Sequence, residues 1–395
     1  MHSDFLIIGG GIIGLTLAHT LKTRHSNASI IIIEKENDVG RHASGRNSGV
    51  LHAGFYYSAD SLKARFCRDG NGLMREYCRE NNLRLNECQK LVVACDAGEV
   101  EGLKELKRRG DVNNVPVELI TQAQAEAMEP NVRTHEYALL SPTTATFDPV
   151  EICQHLRKQL VQTGVNIFTD CPYRERIGNT TVRAGDTVFD AGRIINCAGL
   201  YAVDIARDFG FADGFAVLPF KGVYLKYNGT DRPLKTLIYG VPDMMKPFLG
   251  VQFAIGVDGS IRIGPTAIPA FWRENYQGFA NFNAREMAQI LYWQTNLFLR
   301  NSFGFRTFAI EEIQKYRKAT LVEHAFRMVK NMDASKFNEW NRPGIRAQLL
   351  NTRTRELVQD FAVEGDKHSL HVLNAVSPAF TSSFAFSRWL AEKLV

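Results

Sequence analysis

The chain contains no uninterrupted run of about 18 apolar residues, the length that a membrane-spanning helix needs, so the sequence predicts no such helix. It also lacks internal repeats and low-complexity segments, which excludes solenoid and fibrous architectures. Its seven cysteines are odd in number and form no CxxC pair. That pattern fits reduced thiols in a cytoplasm better than a disulfide framework or a zinc site.

A strong charge of either sign is missing too. The net charge of +5 is mild, and the dense basic stretches, 104–109 and 315–330, are typical of solvated helix faces. The sequence therefore predicts no nucleic-acid partner. The apolar start has no basic n-region and is broken by glycines, so we expect a first strand there rather than a signal peptide.

What the chain does have is the composition of a globular protein, with 45% apolar and 23% charged residues over 395 positions. That length favours two domains over one. The clearest pattern lies in the first 34 residues.

Those residues predict a nucleotide-binding βαβ unit. Phe5–Ile8 is an apolar run of strand length, and it leads into a GxGxxG sequence at Gly9, Gly11 and Gly14. In this motif the first glycine permits a tight turn, the second lets the backbone approach a pyrophosphate, and the third lets the helix pack close to the strand. The start of the following helix offers free N–H groups and a positive dipole end to the phosphates.

A second apolar run, Ile30–Ile33, ends on Glu34, which lies 20 residues past Gly14. A carboxylate at this spacing is typical of a residue that accepts the hydroxyls of an adenosine ribose, and it disfavours the 2′-phosphate of NADP. The segment 41–54 follows. It is rich in small and turn-forming residues, has no helical or alternating period, and is suited to lying along a ligand.

Periodicity and turn residues predict the remaining elements. Helices are predicted at 61–80, 98–109, 121–128, 150–163, over most of 284–331, and at the C-terminal end. Strands are predicted at 91–95, 165–168, 181–189, 194–199, within 216–275, and at 371–375. Residues 88–140 look like a separate small α+β region. An apolar stripe in the long helical region is predicted to face the core; it consists of Met287, Ile290, Leu291, Leu297 and Phe298.

The segment 49–57 reads Gly-Val-Leu-His-Ala-Gly-Phe-Tyr-Tyr, and 61–64 reads Ser-Leu-Lys-Ala. Together they resemble the signature of the L-2-hydroxyglutarate dehydrogenase (oxidase) family, within the D-amino-acid-oxidase-like superfamily of FAD enzymes. Further matching segments run from end to end of the chain, at 199–202, 219–222, 247–251, 256–264, 344–348 and 371–381. Departures from the family pattern concern the substrate half, at Gln252, Ala254, 145–147 and 376–380.

The resemblance implies an α/β protein with an interrupted Rossmann-like FAD-binding domain and a second, mixed-sheet α+β substrate domain. The implied FAD-binding domain is discontinuous and comprises 1–85, 145–215 and 341–395. The implied substrate domain comprises 86–144 and 216–340.

The loop at 44–49 and the C-terminal return at 374–383 imply FAD rather than NAD. No cysteine or histidine stands in a motif that indicates a flavin linkage, so we expect FAD to bind non-covalently. The expected cofactor-binding residues are Gly9, Gly11, Ile12, Ile13, Gly14, Glu34, Lys35, Ser44, Arg46, Asn47, Ser48, Gly49, Ala198, Gly199, Ser377, Ala379, Phe380 and Thr381.

Oxidation of a 2-hydroxy acid by hydride transfer to flavin N5 requires a cation for the carboxylate and a base for the hydroxyl proton. For the cation we favour Arg346, because its position resembles the carboxylate-binding arginine of related amine oxidases and a guanidinium binds a carboxylate bidentately. For the base we favour His52, whose imidazole has an ordinary pKa of about 6.5. A role for His52 in flavin or backbone hydrogen bonding stays open. Gln252 can orient substrate but cannot act as a base.

Three further residues are weaker substrate-binding candidates, namely Lys221, Arg262 and Tyr57. Strand alternation places Arg262 on the opposite face from Ile261 and Ile263, which we expect to pack. No cluster of histidine, cysteine and carboxylate residues has metal-ligand spacing, so no metal is expected.

The resemblance makes L-2-hydroxyglutarate the leading substrate and 2-oxoglutarate its product. Three alternatives stay open: an amino-acid or amine oxidase, a glycerol-3-phosphate-type dehydrogenase, and a non-catalytic flavin-binding protein. A glycerol-3-phosphate-type dehydrogenase would need a cluster of cations, and no single motif contains one. The electron acceptor is a quinone or oxygen. A cytoplasmic location is expected, and peripheral contact of the helices at 284–331 with the inner face of the cell membrane stays open.

Overall fold

The computed structural model describes residues 1–242 and 250–394. Part of the matching segment 247–251, residues 247–249, lies outside the described residues. The helices are α1 (Ile12–Arg24), α2 (Leu62–Glu80), α3 (Val100–Val112), α4 (Gln122–Met128), α5 (Pro149–Gln162), α6 (Ala202–Asp208), α7 (Ala284–Arg300), α8 (Phe305–Gln314), α9 (Lys318–Phe326) and α10 (Ala379–Lys393). The strands are β1 (His2–Ile8), β2 (Ile30–Ile33), β3 (Val50–Leu51), β4 (Leu85–Asn86), β5 (Lys90–Val93), β6 (Glu118–Thr121), β7 (Tyr137–Ser141), β8 (Ala145–Phe147), β9 (Asn166–Phe168), β10 (Tyr173–Arg176), β11 (Thr181–Ala184), β12 (Thr187–Asn196), β13 (Phe215–Gly222), β14 (Leu225–Tyr227), β15 (Leu237–Gly240), β16 (Gln252–Ile255), β17 (Ile261–Gly264), β18 (Ile268–Pro269), β19 (Phe337–Trp340), β20 (Gly344–Asn351), β21 (Glu356–Leu357), β22 (Ala362–Gly365) and β23 (Ser369–Asn374).

The chain divides into two compact units. Unit 1 comprises Met1–Asn47, Pro149–Pro219 and Arg346–Val395, and unit 2 comprises Ser48–Asp148 and Phe220–Ile345. Residues 48–85 therefore lie in unit 2, whereas the family resemblance implies that they belong to the FAD-binding domain. Residues 145–148 lie in unit 2 as well, and β3 and β4, which lie in 48–85, both pair with β8 in that segment.

Unit 1 is built on a mainly parallel sheet with β1 at its centre. β2 and then β9 lie on one side of β1, and β12 and then β23 lie on the other, all parallel. β2 is buried throughout, as expected of a strand that is covered on both faces. Such a strand reads as a continuous apolar run, which Ile30–Ile33 is. The predicted α/β arrangement is confirmed, and the carboxyl ends of these strands form the edge where such sheets bind ligands.

Unit 2 is built on a mixed sheet with the strand order β19-β14-β17-β16-β15-β5-β7-β6. β5 pairs in parallel with β15, so the prediction that 88–140 forms a separate region is wrong. One face of the sheet is apolar and carries Leu91, Ile238, Phe253 and Ile263 in register, all buried in the core of the unit. Helix α9 packs on this face, where the ring of Phe326 lies 6.0 Å from that of Phe253.

The predicted apolar stripe of α7 is only partly buried. Ile290 and Leu297 lie in the interior, but Phe298 is exposed, so its assignment to the core is wrong. Its neighbour Leu299 is exposed as well, which leaves an apolar surface at the end of the helix. Within residues 1–242 and 250–394, no helix is both long and apolar enough to cross a membrane.

Candidate active site

Glycines shape the turn from β1 into α1. Gly9 has a φ of +111°, and a Cβ atom there would lie 2.6 Å from the carbonyl oxygen of Cys197, just after β12. A Cβ atom at Gly14 would lie 2.1 Å from the carbonyl oxygen of Gly9. Both distances are too short for real atoms, so a side chain at either position would push neighbouring backbone away. These glycines therefore allow the tight turn and the close packing of α1 on β1.

Gly11 has a different environment at the start of α1. A Cβ atom there would meet one protein atom within 4 Å, the Oγ atom of Ser44 at 3.2 Å. The backbone N–H of Ile12 donates to the same oxygen over 2.9 Å. The expectation that this N–H is free is therefore wrong. Ser44 still has its own O–H to donate. The helix start thus combines open space, a hydroxyl donor and a positive dipole end, which suits a phosphate.

Glu34 is buried at the end of β2 and is held by two backbone donors. The N–H of Gly10 donates to its Oε2 atom over 2.7 Å, and the N–H of Glu36 donates to its Oε1 atom over 2.9 Å. An ionised carboxylate has about four acceptor positions, so about two remain for ribose hydroxyls. The carboxylate is therefore oriented before any ligand binds.

The predicted loop residues Arg46 and Asn47 make hydrogen bonds within their own loop. The Nε atom of Arg46 donates to the carbonyl oxygen of Arg41 over 2.8 Å. The Nδ2 atom of Asn47 donates to the carbonyl oxygen of Ser44 over 2.7 Å. These bonds fix the loop that presents Ser44 to α1.

Ser48 and Gly49 belong to unit 2. The hydroxyl of Tyr224 is hydrogen-bonded to Ser48, and the carbonyl oxygen of Gly49 accepts from the N–H of Phe147 over 2.8 Å. A cofactor role for Ser48 and Gly49 stays a prediction.

The other cofactor candidates lie on several elements of unit 1. The N–H of Ala198 donates to Asn196 over 3.1 Å, and Gly199 has a φ of +55° with no atom within 4 Å of a Cβ position. The ammonium of Lys35 lies 5.4 Å from the ring centroid of Tyr201. The remaining candidates lie at the starts of two helices. Ile12 and Ile13 are buried in the first turn of α1. Ser377 is exposed just before α10, and Ala379, Phe380 and Thr381 are buried in the first turn of that helix. Their contact with a cofactor stays a prediction.

Unit 1 therefore fits the adenosine diphosphate part of a dinucleotide. The space at Gly11 and the Ser44 hydroxyl suit the pyrophosphate, and Glu34 suits the ribose. This fit depends on the backbone conformation of the β1–α1 turn, which the GxGxxG spacing predicts.

In unit 2, the second face of the mixed sheet carries polar side chains where a core would have apolar ones. Register and alternation place Lys90, Tyr239, Gln252 and Arg262 on this face. Each has a buried polar atom without a hydrogen-bond partner among the described residues: Nζ of Lys90, the hydroxyl of Tyr239, Oε1 of Gln252 and Nε of Arg262. Buried polar groups normally have partners, so a face with four such atoms indicates a site for a polar ligand.

Arg262 is half-buried on this face, and Ile261 and Ile263 are buried on the other, as predicted from alternation. Its guanidinium carbon lies 5.9 Å from the ring centroid of Tyr224. Gln252 is only 4% exposed. A cation and an amide side by side on adjacent strands suit a carboxylate and a hydroxyl group.

His52 is buried and its backbone is anchored, since its carbonyl oxygen accepts from the Nδ2 atom of Asn71 over 2.9 Å. Burial, and next the positive charge of Lys90, lower the pKa of His52 to about 3. The expectation of an ordinary imidazole is therefore wrong, because desolvation disfavours the charged form. At neutral pH His52 is therefore an uncharged imidazole and a weaker base than an ordinary histidine.

The three remaining substrate candidates are Lys221, Tyr57 and Arg346, and each has a different environment. Lys221 is buried, which lowers its pKa, and its ammonium donates to the Oδ1 atom of Asn275 over 3.4 Å. The ring of Tyr57 lies 5.8 Å from the ammonium of Lys63. Arg346 is half-buried at the start of the last segment of unit 1. The roles of these three candidates stay predictions.

No local sequence pattern indicates Lys90 or Tyr239 as a site residue. Lys90 precedes the apolar run 91–94 and so looks like the solvent-exposed end of a strand. Its burial depends on pairing of β5 with β15, which is distant in sequence, and no local signal indicates that pairing.

Comparison with known proteins agrees with these features. The model of the family described as DAO, FAD dependent oxidoreductase, matches residues 4–393. The mitochondrial L-2-hydroxyglutarate dehydrogenase of Bos taurus is 35% identical, with 99% of this chain and 88% of that protein covered. The L-2-hydroxyglutarate dehydrogenase of Escherichia coli K12 is 30% identical, with 99% and 93% covered.

Solved structures share the fold. FAD-bound L-alpha-glycerophosphate oxidase from Mycoplasma pneumoniae matches with a TM-score of 0.78 at 21% identity, covering 100% of this chain and 95% of that one. Glycine oxidase from Geobacillus kaustophilus matches with a TM-score of 0.73 at 16% identity, covering 100% and 94%. The chain belongs to the DAO family of FAD-dependent oxidoreductases.

Proposed function

We propose that this protein oxidises L-2-hydroxyglutarate to 2-oxoglutarate with FAD as its cofactor. The observation that carries the proposal is similarity over almost the whole chain to relatives named L-2-hydroxyglutarate dehydrogenase. The polar face of the unit 2 sheet supports it, because Arg262 and Gln252 suit a hydroxy acid with carboxylate groups.

Residues of unit 1 hold the cofactor. Glu34 accepts from the ribose hydroxyls, and Ser44 with the start of α1 binds the pyrophosphate next to Gly11. Bound FAD supplies the acceptor for the hydride that leaves the substrate carbon. Since no flavin-linkage motif is present, acid precipitation of the purified protein should release the flavin into solution.

His52 accepts the hydroxyl proton of the substrate. Its low pKa means that it is uncharged over the whole neutral range, and also that it is a weaker base than an ordinary imidazole. Gln252 contributes hydrogen bonds only, because an amide is not a base at neutral pH. Arg346 as the clamp of a carboxylate is a proposal from the sequence resemblance.

The direct test is product analysis. The purified holoenzyme is incubated with L-2-hydroxyglutarate and an artificial electron acceptor dye, and 2-oxoglutarate is quantified against reduced dye. We expect one 2-oxoglutarate for each two electrons transferred. Dye reduction without 2-oxoglutarate would refute the proposed reaction.

The low pKa of His52 also favours a second candidate, an amino-acid or amine oxidase. A neutral amine can lose a hydride without a strong base, and an imidazole with a pKa of about 3 is a weak base. Rapid turnover of an amino acid, with none of L-2-hydroxyglutarate, would decide for this candidate.

We further propose peripheral contact of α7 and α8 with an anionic lipid surface, which would bring the protein to a quinone. Exposed apolar side chains recur along these helices and the turn between them, at Tyr292, Phe298, Leu299, Phe303, Ile310 and Ile313. Arg300 and Arg306 are exposed beside them and complement anionic headgroups.

Co-sedimentation with vesicles tests this contact. Leu299→Ser combined with Ile313→Ser should reduce binding to vesicles that contain anionic lipid. Val161→Ser is the matched control, because Val161 is exposed on α5 of unit 1. Equal binding of the double variant and the wild type would refute the contact.

A further inference from the structure

Asn196 and His371 form a buried pair of polar side chains at the end of β12. They are register partners on the adjacent parallel strands β12 and β23, and both are fully buried. The Nδ2 atom of Asn196 lies 3.2 Å from the Nδ1 atom of His371. Burial of polar groups costs free energy that apolar side chains of similar size would not, so packing alone does not explain this pair.

Two backbone groups fix the orientation of the Asn196 amide. The N–H of Ala198 donates to its Oδ1 atom over 3.1 Å, and its Nδ2 atom donates to the carbonyl oxygen of Ala202 over 2.8 Å. A backbone N–H can only donate and a carbonyl oxygen can only accept, so the reversed amide would place two donors and two acceptors against each other. The second hydrogen of Nδ2 is therefore the one that Asn196 donates to His371.

The orientation of the amide determines the tautomer of His371. Since Asn196 donates, the Nδ1 atom of His371 accepts, and the ring hydrogen is on Nε2. The Nε2 atom donates to the Oγ atom of Ser369 over 3.0 Å, and the Ser369 hydroxyl makes a long hydrogen bond of 3.5 Å to the Oδ1 atom of Asp366. Burial lowers the pKa of His371 to about 4, so the ring is uncharged at neutral pH and Nδ1 can accept.

The imidazole of His371 also packs against two aromatic rings. Its centroid lies 5.0 Å from the ring centroid of Phe209 and 5.1 Å from that of Phe211. The side chain thus has two separable features, its Nδ1 acceptor and its ring surface. A substitution can remove one of them and keep the other.

The turn that Asn196 holds packs against the β1–α1 turn of the cofactor site. The carbonyl oxygen of Cys197 fills the space beside Gly9, where a Cβ atom would lie 2.6 Å from it. The N–H of Cys197 donates to the carbonyl oxygen of Ile8 over 2.8 Å. Ala198 and Gly199 of the same turn are themselves expected to bind the cofactor. The position of this turn therefore fixes backbone next to the expected pyrophosphate position.

We propose that His371 is a positioning residue for FAD binding, whose Nδ1 atom holds the Asn196 amide and, through it, the turn beside Gly9. The proposal rests on the part of the proposed function in which unit 1 holds FAD, and it does not depend on the substrate. A turn that is ordered before FAD binds loses less conformational entropy on binding, which raises the affinity. His371 acts through Asn196, because its own side chain is fully buried.

Two substitutions separate the acceptor from the ring. His371→Phe keeps a ring against Phe209 and Phe211 but removes the acceptor for Asn196. His371→Asn loses the ring but offers an amide oxygen near the place of Nδ1. The FAD that each holoenzyme releases on serial dilution is measured by flavin fluorescence. We expect His371→Phe to bind FAD at least about tenfold more weakly than the wild type, and His371→Asn to stay within about threefold of it.

The order of the two variants decides between the two features of the ring. The cavity left by the imidazole should lower the melting temperature of His371→Asn without a matching loss of FAD affinity. FAD binding by His371→Phe at wild-type affinity, or weaker binding by His371→Asn than by His371→Phe, overturns the proposal. His19→Phe is the matched control, since His19 is half-buried on α1 next to the ring of Phe384, and we expect it to bind FAD as the wild type does.

Asn196→Ala tests whether His371 acts through Asn196. We expect the double variant His371→Phe with Asn196→Ala to bind FAD about as weakly as Asn196→Ala alone, because the effects of residues in one hydrogen-bond network do not add. Losses of affinity that multiply in the double variant overturn the proposal.

NMR of the histidine-labelled wild-type holoenzyme tests the tautomer without dependence on the folding of a variant. Its ring-nitrogen signals show which nitrogen carries the hydrogen, and we expect Nε2 of an uncharged His371 at neutral pH. A hydrogen on Nδ1 overturns the proposal. If the variants separate as expected but L-2-hydroxyglutarate reduces no flavin, the proposed reaction fails while the positioning role of His371 is supported.

Discussion

The backbone N–H of Gly10 donates to the Glu34 carboxylate over 2.7 Å and so ties the end of β1 to the end of β2. Gly10 lies in the middle of the glycine turn, and Glu34 is the carboxylate that is predicted to bind the ribose. This hydrogen bond fixes the backbone of the turn relative to the Glu34 carboxylate. The positions expected for the pyrophosphate and for the ribose are therefore fixed relative to each other.

The turn from β1 into α1 predicts different effects of alanine at Gly11 and at Gly14. Gly11→Ala should leave the fold intact, because Gly11 has a φ of −79° and its Cβ would meet only Ser44 Oγ at 3.2 Å. The methyl group should nevertheless occupy pyrophosphate space and weaken FAD binding at least about tenfold, or about 1.4 kcal/mol. Flavin fluorescence titration of the apoprotein measures the change.

Gly14→Ala is the comparison variant. Its Cβ would lie 2.1 Å from the carbonyl oxygen of Gly9, so we expect a lower melting temperature as well as loss of FAD. FAD binding by Gly11→Ala with wild-type affinity would remove the pyrophosphate from this position.

Replacement of His52 tests its role in proton transfer. His52→Ala should slow flavin reduction about 10²–10⁴-fold while the substrate dissociation constant changes little, the pattern of a lost transition-state interaction. Anaerobic stopped-flow measurements over a range of substrate concentrations separate the two. Loss of flavin from the variant, or reduction at the normal rate, would assign His52 to cofactor support.

Arg346→Lys tests the proposed carboxylate clamp. Lysine keeps the charge but lacks the bidentate fork, so we expect KM for L-2-hydroxyglutarate to rise at least about tenfold, or about 1.4 kcal/mol of binding. Arg353→Lys is the control, since Arg353 is an exposed residue of unit 1 that pairs with Asp213. Equal kinetics for both variants would remove Arg346 from substrate binding.

Lys90→Met should stabilise the protein. The pKa of Lys90 is about 7 in the folded chain and about 10.5 when unfolded, so burial of its charge costs most below pH 7 and the cost falls as pH rises toward 10.5. We expect a gain of about 1–4 kcal/mol at pH 7 that shrinks by about pH 10. Urea unfolding at the two pH values measures it, and a larger gain at the higher pH would contradict the account.

Much of unit 1 could be predicted because its signals are local. The apolar run Ile30–Ile33 matches β2 at both ends, and the glycine spacing defines the β1–α1 turn. Strand–turn–helix units depend on neighbouring residues, and a strand covered on both faces leaves a continuous apolar run in the sequence.

Unit 2 was harder because its site depends on distant pairing. Lys90 and Tyr239 face the same side only because β5 pairs with β15, some 150 positions along the chain. The pKa of His52 could not be predicted either, since it depends on burial and on a charge supplied by another strand. Alternation did place Arg262 correctly, because that inference needs only its two neighbours.

Anaerobic reduction of the bound flavin by a substrate panel tests the central claim most directly. The panel contains L-2-hydroxyglutarate, its D enantiomer, other 2-hydroxy acids and amino acids, and the flavin absorbance is followed without any external acceptor. The account predicts rapid bleaching by L-2-hydroxyglutarate, with slow or no bleaching by the D enantiomer and by amino acids. Flavin that stays oxidised with L-2-hydroxyglutarate, while an amino acid bleaches it rapidly, would contradict the account.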